Sequence, residues 1–289
     1  MTKAFFDDFD KIYTKEWKQK IQFDLKGADY NEALIHKSYE GIDIKPFYNE
    51  EDISSTSNTV SHPQTWRNSQ KIIVSNAITG NKNALISIKK GAESIYFVIA
   101  SEDINPIVLL SNINIDIPIY IETLFLSSTY ISKINELSKT SNLLVYILTD
   151  IIGNITKTGN WYKNLKDDHL HTENLIEKSD HLKSVLRVDM GILQNAGATM
   201  IQQLAYGLAH ANEYLNYFDN QSNNPFQKKA IIFTVAIGGN YFFEIAKLRA
   251  LRILWTALAS EYNVLNECII IAHPSLRNKT MLVECVHHP

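Results

Sequence analysis

Polar residues stand where several apolar runs of the sequence end, and these are the residues that could do chemistry. If the runs are strands of a parallel barrel, their carboxyl ends share one mouth, where such folds bind ligands. The chemistry predicted there is the binding of a polar ligand. Turns after strands are polar in any case, so an ordinary turn role stays open for each residue. The candidates at this mouth are Gln70, Thr123, Asp150, Asp189, Asn240 and His273.

A second charged group lies on a predicted helix. Glu244 and Lys247 are three residues apart, so they share one face and could form a pair, with Arg249 close by. A catalytic role is one interpretation. We favour a structural role, because the pair lies about a turn past the end of a strand and could fix the helix against a neighbour. Gly197 is also predicted to be structural, as a small residue where a helix packs closely.

The motifs of several common enzyme classes are absent. Gly153 and Gly159 bracket a loop, but neither the dinucleotide spacing nor a phosphate-binding loop follows them. His169 and His171 are two apart and would not share a helix face, which argues against a metal site. The sequence contains neither His-Glu-x-x-His nor a Gly-x-Ser-x-Gly elbow.

The elements that must position these residues alternate between strands and helices. Mostly apolar strands separated by amphipathic helices predict a parallel sheet buried on both faces. The fold class is therefore α/β, a TIM-type (β/α)8 barrel that is truncated after about seven strands. The predicted strands are 72–74, 94–99, 117–121, 143–148, 184–188, 230–236 and 268–271. The two longest predicted helices are 194–218 and 241–261.

The first part of the chain differs from the rest. Residues 1–60 are predicted to be an arm with one helical segment, ending in a polar linker at Ile53–Thr59, and residues 61–289 the incomplete barrel. We expect the arm to be extended and to bind a partner protein. The residues expected to make that contact are Trp17, Pro46, Phe47 and Tyr48.

Bulk properties limit the possible partners and compartments. The net charge is −3 and the isoelectric point about 6.3, so the chain lacks the basic surplus of a nucleic-acid-binding protein. Two cysteines are too few for a disulfide framework. The acidic start has no signal-peptide pattern, and the apolar runs are of strand length, so we expect a cytoplasmic protein without membrane contact.

Five stretches together resemble the methylmalonyl-CoA mutase family. They are Glu40–Ile42 with Pro46–Tyr48, Trp66 with Gln70, Asp150–Gly153, Gln194–Thr199 and Phe242–Trp255. The set is specific in combination and covers nearly the whole chain. The resemblance is closer to the small, non-catalytic type of subunit in that family.

The resemblance implies a place in propionate metabolism. The family interconverts methylmalonyl-CoA and succinyl-CoA by a radical rearrangement that uses adenosylcobalamin. Its catalytic subunit joins a substrate barrel to a cobalamin domain carrying Asp-x-His-x-x-Gly, and its small subunit pairs with that large subunit as a heterodimer without activity of its own. The implied partners are therefore a large catalytic subunit and, in the complex, an acyl-CoA.

The chain departs from the catalytic pattern where it matters. Matched to the family's motifs, Ile192 stands at the position of the catalytic His, and Lys71 at that of the catalytic Tyr. No Asp-x-His-x-x-Gly occurs in the sequence. Loss of a polarising donor typically costs a few kcal/mol of transition-state stabilisation. This chain alone is therefore expected neither to hold cobalamin nor to run the rearrangement.

Three functional hypotheses follow from these residues. The first is a non-catalytic barrel subunit that stabilises a catalytic mutase partner. The second is an acyl-CoA mutase substrate barrel that works with a separate cobalamin-domain protein. The third is a truncated product without function, whose open sheet edges would favour aggregation.

Overall fold

A computed structural model describes residues 13–52, 65–219 and 224–279. The chain divides into two compact units, one up to Thr59 and one from Val60 onwards, and each is described by itself. The predicted linker at Ile53–Thr59 lies outside the described residues.

The N-terminal unit is made of short helices and a small hairpin. Its elements are α1 (Thr14–Asp24), α2 (Tyr30–Leu34), β1 (His36–Lys37), β2 (Asp43–Ile44) and a 3-10 turn at Glu50–Asp52. The strands β1 and β2 pair antiparallel. Local caps and a turn satisfy the backbone of this unit; Asp29, for example, caps α2 by accepting from two backbone N–H groups. The expected partner-binding arm stays a prediction.

Seven parallel strands form a curled half-barrel in the second unit, which confirms the predicted fold class. They pair in chain order, each with the next. Among the described residues, no strand pairs with the outer edge of β3 or of β9. The strands are β3 (Ser69–Val74), β4 (Ser94–Ile99), β5 (Ile119–Thr123), β6 (Val145–Thr149), β7 (Ser184–Asp189), β8 (Ile232–Ile237) and β9 (Ile269–Pro274).

Helices flank the strands, and several begin at a side-chain cap. Asn76, Asp150 and Asn240 each accept from backbone N–H groups of the first helical turn, which fixes where the helix starts. The helices are α3 (Ala77–Lys89), α4 (Pro106–Leu109), α5 (Ser128–Ser141), α6 (Ile151–Thr158), α7 (Leu165–Glu177), α8 (Gly191–Asn195), α9 (Met200–Asp219) and α10 (Tyr241–Glu261). No described helix is long and apolar enough to cross a membrane.

The predicted helix over 194–218 is two helices, α8 and α9. The break contains Gly197, whose φ of +100° is a left-handed conformation that glycine adopts readily. We predicted that a helix packs closely at Gly197. This prediction is wrong, because a Cβ there would meet nothing within 4 Å. The close approach is at Gly207 of α9, where a Cβ would lie 2.7 Å from the Met190 side chain.

Alternating strand residues build two separate cores. Phe97 faces outward into the large core against the helices, whereas Tyr96 and Val98 belong to a smaller inward cluster. Strand register places Lys71, Tyr96, Tyr120 and Tyr146 opposite one another across β3 to β6. The rings of Tyr120 and Tyr146 stack with centroids 4.9 Å apart. A row of large side chains therefore lines one level of the inward face of the sheet, with Lys71 at its exposed end.

Candidate functional site

Asp150 follows β6 and joins several elements at the carboxyl end of the barrel. Its fully buried carboxylate accepts from Gly153 N at 2.7 Å, Asp189 N at 2.9 Å, His210 Nε2 at 2.9 Å and Tyr214 OH at 2.8 Å. Burial opposes ionisation, but the attraction and hydrogen bond of His210 outweigh it, so the pKa of Asp150 lies below its usual range. One ionised carboxylate thus connects the ends of β6 and β7 to α9.

Arg187 of β7 carries a buried charge into the barrel interior. Its Nη1 lies 2.9 Å from Glu122 Oε1 and donates to Tyr96 OH at 3.1 Å. Tyr96 OH in turn donates to Glu122 Oε2 at 2.6 Å. Burial raises the pKa of Glu122, but the attraction of Arg187 and the hydrogen bond of Tyr96 bring it below its usual value. The three side chains form a closed, charge-balanced triangle.

The other edge of the Arg187 guanidinium is less well paired. Its Nε has no hydrogen-bond partner among the described residues and lies 4.0 Å from Asp150 Oδ2. Its Nη2 lies 3.8 Å from Asp189 Oδ2. Burial raises the pKa of Asp189 above its ordinary value in spite of Arg187, and the neighbouring carboxylates add to the effect. Asp189 is therefore the carboxyl at this mouth that most resists ionisation.

Three of the six mouth candidates come together. Asp189 and Asp150 are joined by the backbone hydrogen bond, and His273 of β9 reaches the same place from the other side. A Cβ added at Gly191 would lie 2.8 Å from His273 Nε2 and 3.0 Å from Asp189 Oδ1, so only glycine fits between them.

The remaining three candidates lie elsewhere. Gln70 is the second residue of β3, at its amino end, and its Nε2 donates to the Lys71 carbonyl at 2.9 Å. Thr123 shares the helix-facing side of β5 with Ile121, because side chains alternate along a strand. Asn240 caps α10, where it accepts from a backbone N–H.

The pair on α10 is buried and contacts both backbone and side-chain atoms. Lys247 Nζ lies 2.6 Å from Glu244 Oε2 and donates to the Ala236 carbonyl at 2.8 Å and to Gln203 Oε1 at 3.1 Å. Glu244 Oε1 accepts from Gly238 N at 2.7 Å. These contacts tie α10 to β8 and α9. Arg249, the third member of the predicted group, is exposed.

A cavity of about 830 Å³ opens at the opposite, amino end of the strands. Its lining is rich in basic side chains, and burial lowers the pKa of one of them, Lys229. Sequence reasoning did not predict this cavity. The charged residues of its lining are Arg67, Lys139, Lys183, Lys228, Lys229, Asp116 and Asp180.

Comparison with known proteins places this fold in a family. The family model described as methylmalonyl-CoA mutase matches residues 104–277. The chain belongs to the methylmalonyl-CoA mutase family. The small subunit of methylmalonyl-CoA mutase from Porphyromonas gingivalis is 28% identical over 89% of this chain and 45% of that protein.

Other relatives match a shorter part of the chain. A methylmalonyl-CoA mutase from Rhizobium meliloti is 43% identical over 24% of this chain and 10% of its own length. A methylmalonyl-CoA mutase large subunit from Streptomyces virginiae is 41% identical over 26% of this chain and 10% of its own length. The chain thus spans less than half the length of these mutase proteins.

Lys71 and Ile192, which the sequence resemblance predicts to stand where catalytic residues would be, lie in β3 and α8. Lys71 points into the barrel, with Nζ 3.9 Å from Glu122 Oε2 and 4.9 Å from the centroid of the Tyr96 ring. Ile192, in α8, offers an aliphatic side chain without a hydrogen-bond donor. Within the described part of the chain, no group of three or more His, Cys, Asp or Glu residues could hold a metal ion.

Sequence reasoning missed the centre of this site. It named Asp150 and Asp189 but not Arg187, Glu122 or His210. A signal for Arg187 was present, because a charged residue inside the apolar run 184–188 must be paired when that run is buried.

Proposed function

We propose that this chain is a non-catalytic barrel subunit that pairs with the large catalytic subunit of an adenosylcobalamin-dependent methylmalonyl-CoA mutase. The observation that carries the proposal is the buried ion pair inside the barrel. Arg187, Glu122 and Tyr96 occupy the barrel interior with this pair, and the tyrosine row lies beside them. A substrate chain entering there would have to separate these charges, which is strongly unfavourable in a buried site.

The cofactor would belong to the partner in this complex. Adenosylcobalamin supplies radical chemistry when bound, but two residues at this mouth do not fit it: His210 is engaged with Asp150, and Ile192 has no hydrogen-bond donor. This chain would instead support its partner, and we place the complex in the cytoplasm.

A tagged pull-down from the native cytosol, read by mass spectrometry, tests the proposal. Recovery of a cobalamin-binding mutase large subunit at near-equal stoichiometry supports it. Recovery of chaperones alone would instead indicate a product that does not assemble, and would overturn the partner role.

The amino-end cavity favours one alternative, a substrate barrel that works with a separate cobalamin-domain protein. Five basic side chains against two acidic ones suit the phosphates of an acyl-CoA. Calorimetry of the isolated chain with coenzyme A, with Lys183→Glu as the matched variant, separates the two functions. The alternative requires binding that this variant weakens, together with turnover once a cobalamin-domain protein is added.

A further inference from the structure

A short loop between α6 and α7, residues 159–164, is fixed by a buried carboxylate. The backbone N–H groups of Tyr162 and Lys163 donate to the two carboxylate oxygens of Asp168 at 2.8 Å and 3.0 Å, and Asp168 is fully buried. Releasing the loop would leave this buried carboxylate without both donors, which is unfavourable. The loop is therefore held in place, although connecting loops are usually the more mobile parts of a fold.

The first half of the loop is anchored as well. The Asn160 carbonyl accepts from Asn154 Nδ2 of α6 at 2.9 Å. Gly159 allows the chain to turn back onto the helix with a left-handed φ of +77°. Trp161 packs against the large helix-facing core. With its neighbours held on both sides, Tyr162 has little freedom to leave its place.

Tyr162 lies near the buried charges of the barrel mouth. Helix α6, which precedes the loop, starts after Asp150 at the end of β6 and packs against α8. Burial raises the pKa of Tyr162 to about 12; the positive charge of Arg187 opposes this rise, and the negative charges of Asp150 and Glu122 add to it. The hydroxyl therefore lies within reach of the three groups that carry the interior charge.

The position of Tyr162 matters because one edge of the Arg187 guanidinium is poorly paired. Its Nε has no hydrogen-bond partner among the described residues. Water reaching this edge would screen the attraction between Arg187 and Glu122, since a low local dielectric is what makes a buried pair strong. A phenol ring over the mouth keeps that water out.

We propose that the loop 159–164 is a lid that closes the carboxyl end of the barrel over Arg187. Tyr162 is its covering side chain, and Asp168 is the clamp that holds it shut. The Tyr162 side chain is 36% exposed, so the ring separates solvent from the interior. A molecule that approaches Arg187 from the carboxyl end must first displace this lid. Control of access here is a property of the chain alone, whatever its partner.

Arginine labelling of the full chain tests the lid. Phenylglyoxal is added, and the modification of each arginine is followed by peptide mass spectrometry. Arg187 should react at least about 10-fold more slowly than the exposed Arg249. Tyr162→Ala should raise the Arg187 rate at least about 5-fold, whereas Tyr162→Phe keeps the ring and should change it less than about 2-fold. Tyr206→Ala, at an exposed tyrosine outside the loop, is the matched control and should leave the rate unchanged.

Amide hydrogen exchange tests the clamp separately. The N–H groups of Tyr162 and Lys163 should exchange slowly in the unmodified chain, because both donate to a buried carboxylate. Asp168→Asn keeps one acceptor oxygen in place of two, so it should speed the exchange of the loop and the labelling of Arg187 together. Fast exchange of both amides in the unmodified chain would overturn the clamp.

The labelling rates decide the proposal. The lid is overturned if Arg187 reacts equally fast in the unmodified chain and in Tyr162→Ala, or if Tyr206→Ala has the same effect as Tyr162→Ala. An unchanged thermal unfolding midpoint shows that faster labelling reflects the lid and not the fold. If Tyr162→Ala does not fold, Asp168→Asn takes its place: faster labelling of Arg187 supports the lid, and an unchanged rate overturns it.

Discussion

Arg187 Nη1 lies 2.9 Å from Glu122 Oε1 inside the barrel, joining β7 to β5 across the intervening strand β6. Tyr96 from β4 completes this contact. A buried charged pair therefore occupies the barrel interior at this level. The pair links the fold to the proposed function. The same ion pair that stabilises the barrel interior also occupies the space that a substrate chain would need.

Removal of Arg187 should destabilise the barrel strongly. Arg187→Ala leaves the Glu122 carboxylate buried without its partner, which typically costs about 3–5 kcal/mol. Urea unfolding followed by circular dichroism measures the change. Arg249→Ala removes an exposed arginine and should shift the free energy of unfolding by less than about 0.5 kcal/mol. Equal effects of the two substitutions would show that the interior pair does not hold the fold.

Asp150 should make stability depend on pH in the acid range. Its pKa is lowered in the folded chain, so its contribution is full above the unfolded value of about 3.9 and is lost as the pH falls through the folded value. Asp150→Asn should be less stable at pH 7 and should lose less stability between pH 5 and pH 2 than the unmodified chain. The free energy of unfolding from urea titrations is compared between the two proteins over this pH range. An equal dependence on pH in both would contradict this prediction.

Asp189 should behave in the opposite way. Its pKa is raised by burial, so the protonated form favours the fold; that contribution is full below about pH 3.9 and is lost as the pH rises through the folded value. Asp189→Asn mimics the neutral form and can still accept from Gly191 N. We expect higher stability than the unmodified chain at pH 7 and little difference at pH 3. Lower stability at pH 7 would contradict the account.

Gly197 should tolerate no side chain without loss of stability. Its φ of +100° is strained for any residue with a Cβ, so Gly197→Ala should cost about 1–2 kcal/mol although the space around it is open. Gly239→Ala, at a glycine with equally open surroundings and no positive φ, is the control. Thermal unfolding of both variants compares the two, and equal midpoints would contradict the backbone explanation.

Much of the fold could be predicted from the sequence. The strand Ser94–Ile99 and the helix Tyr241–Glu261 have their predicted bounds, since a buried apolar run and the Asn240 cap define them locally. The helix Ile151–Thr158 was missed, because its short apolar stretch between Asp150 and Gly159 carries too few turns to show a period.

The site was less predictable than the fold. Asp150 and Asp189 follow the predicted strands 143–148 and 184–188, so their place at the mouth could be inferred from the sequence. Glu122 and Arg187 lie within strands, and only the strand register brings them together with Tyr96 from a third strand. Which face of a strand points inward depends on how the whole sheet curls, and this information is not local to the strand.

The most direct test of the central claim is to mix the purified chain with the purified large mutase subunit. Light scattering after size-exclusion chromatography gives the mass of the product, and the same samples are assayed for methylmalonyl-CoA turnover. We predict a one-to-one complex that is active, and no turnover by this chain with cobalamin alone. Separate elution of the two proteins, or turnover by this chain without the large subunit, would contradict the account.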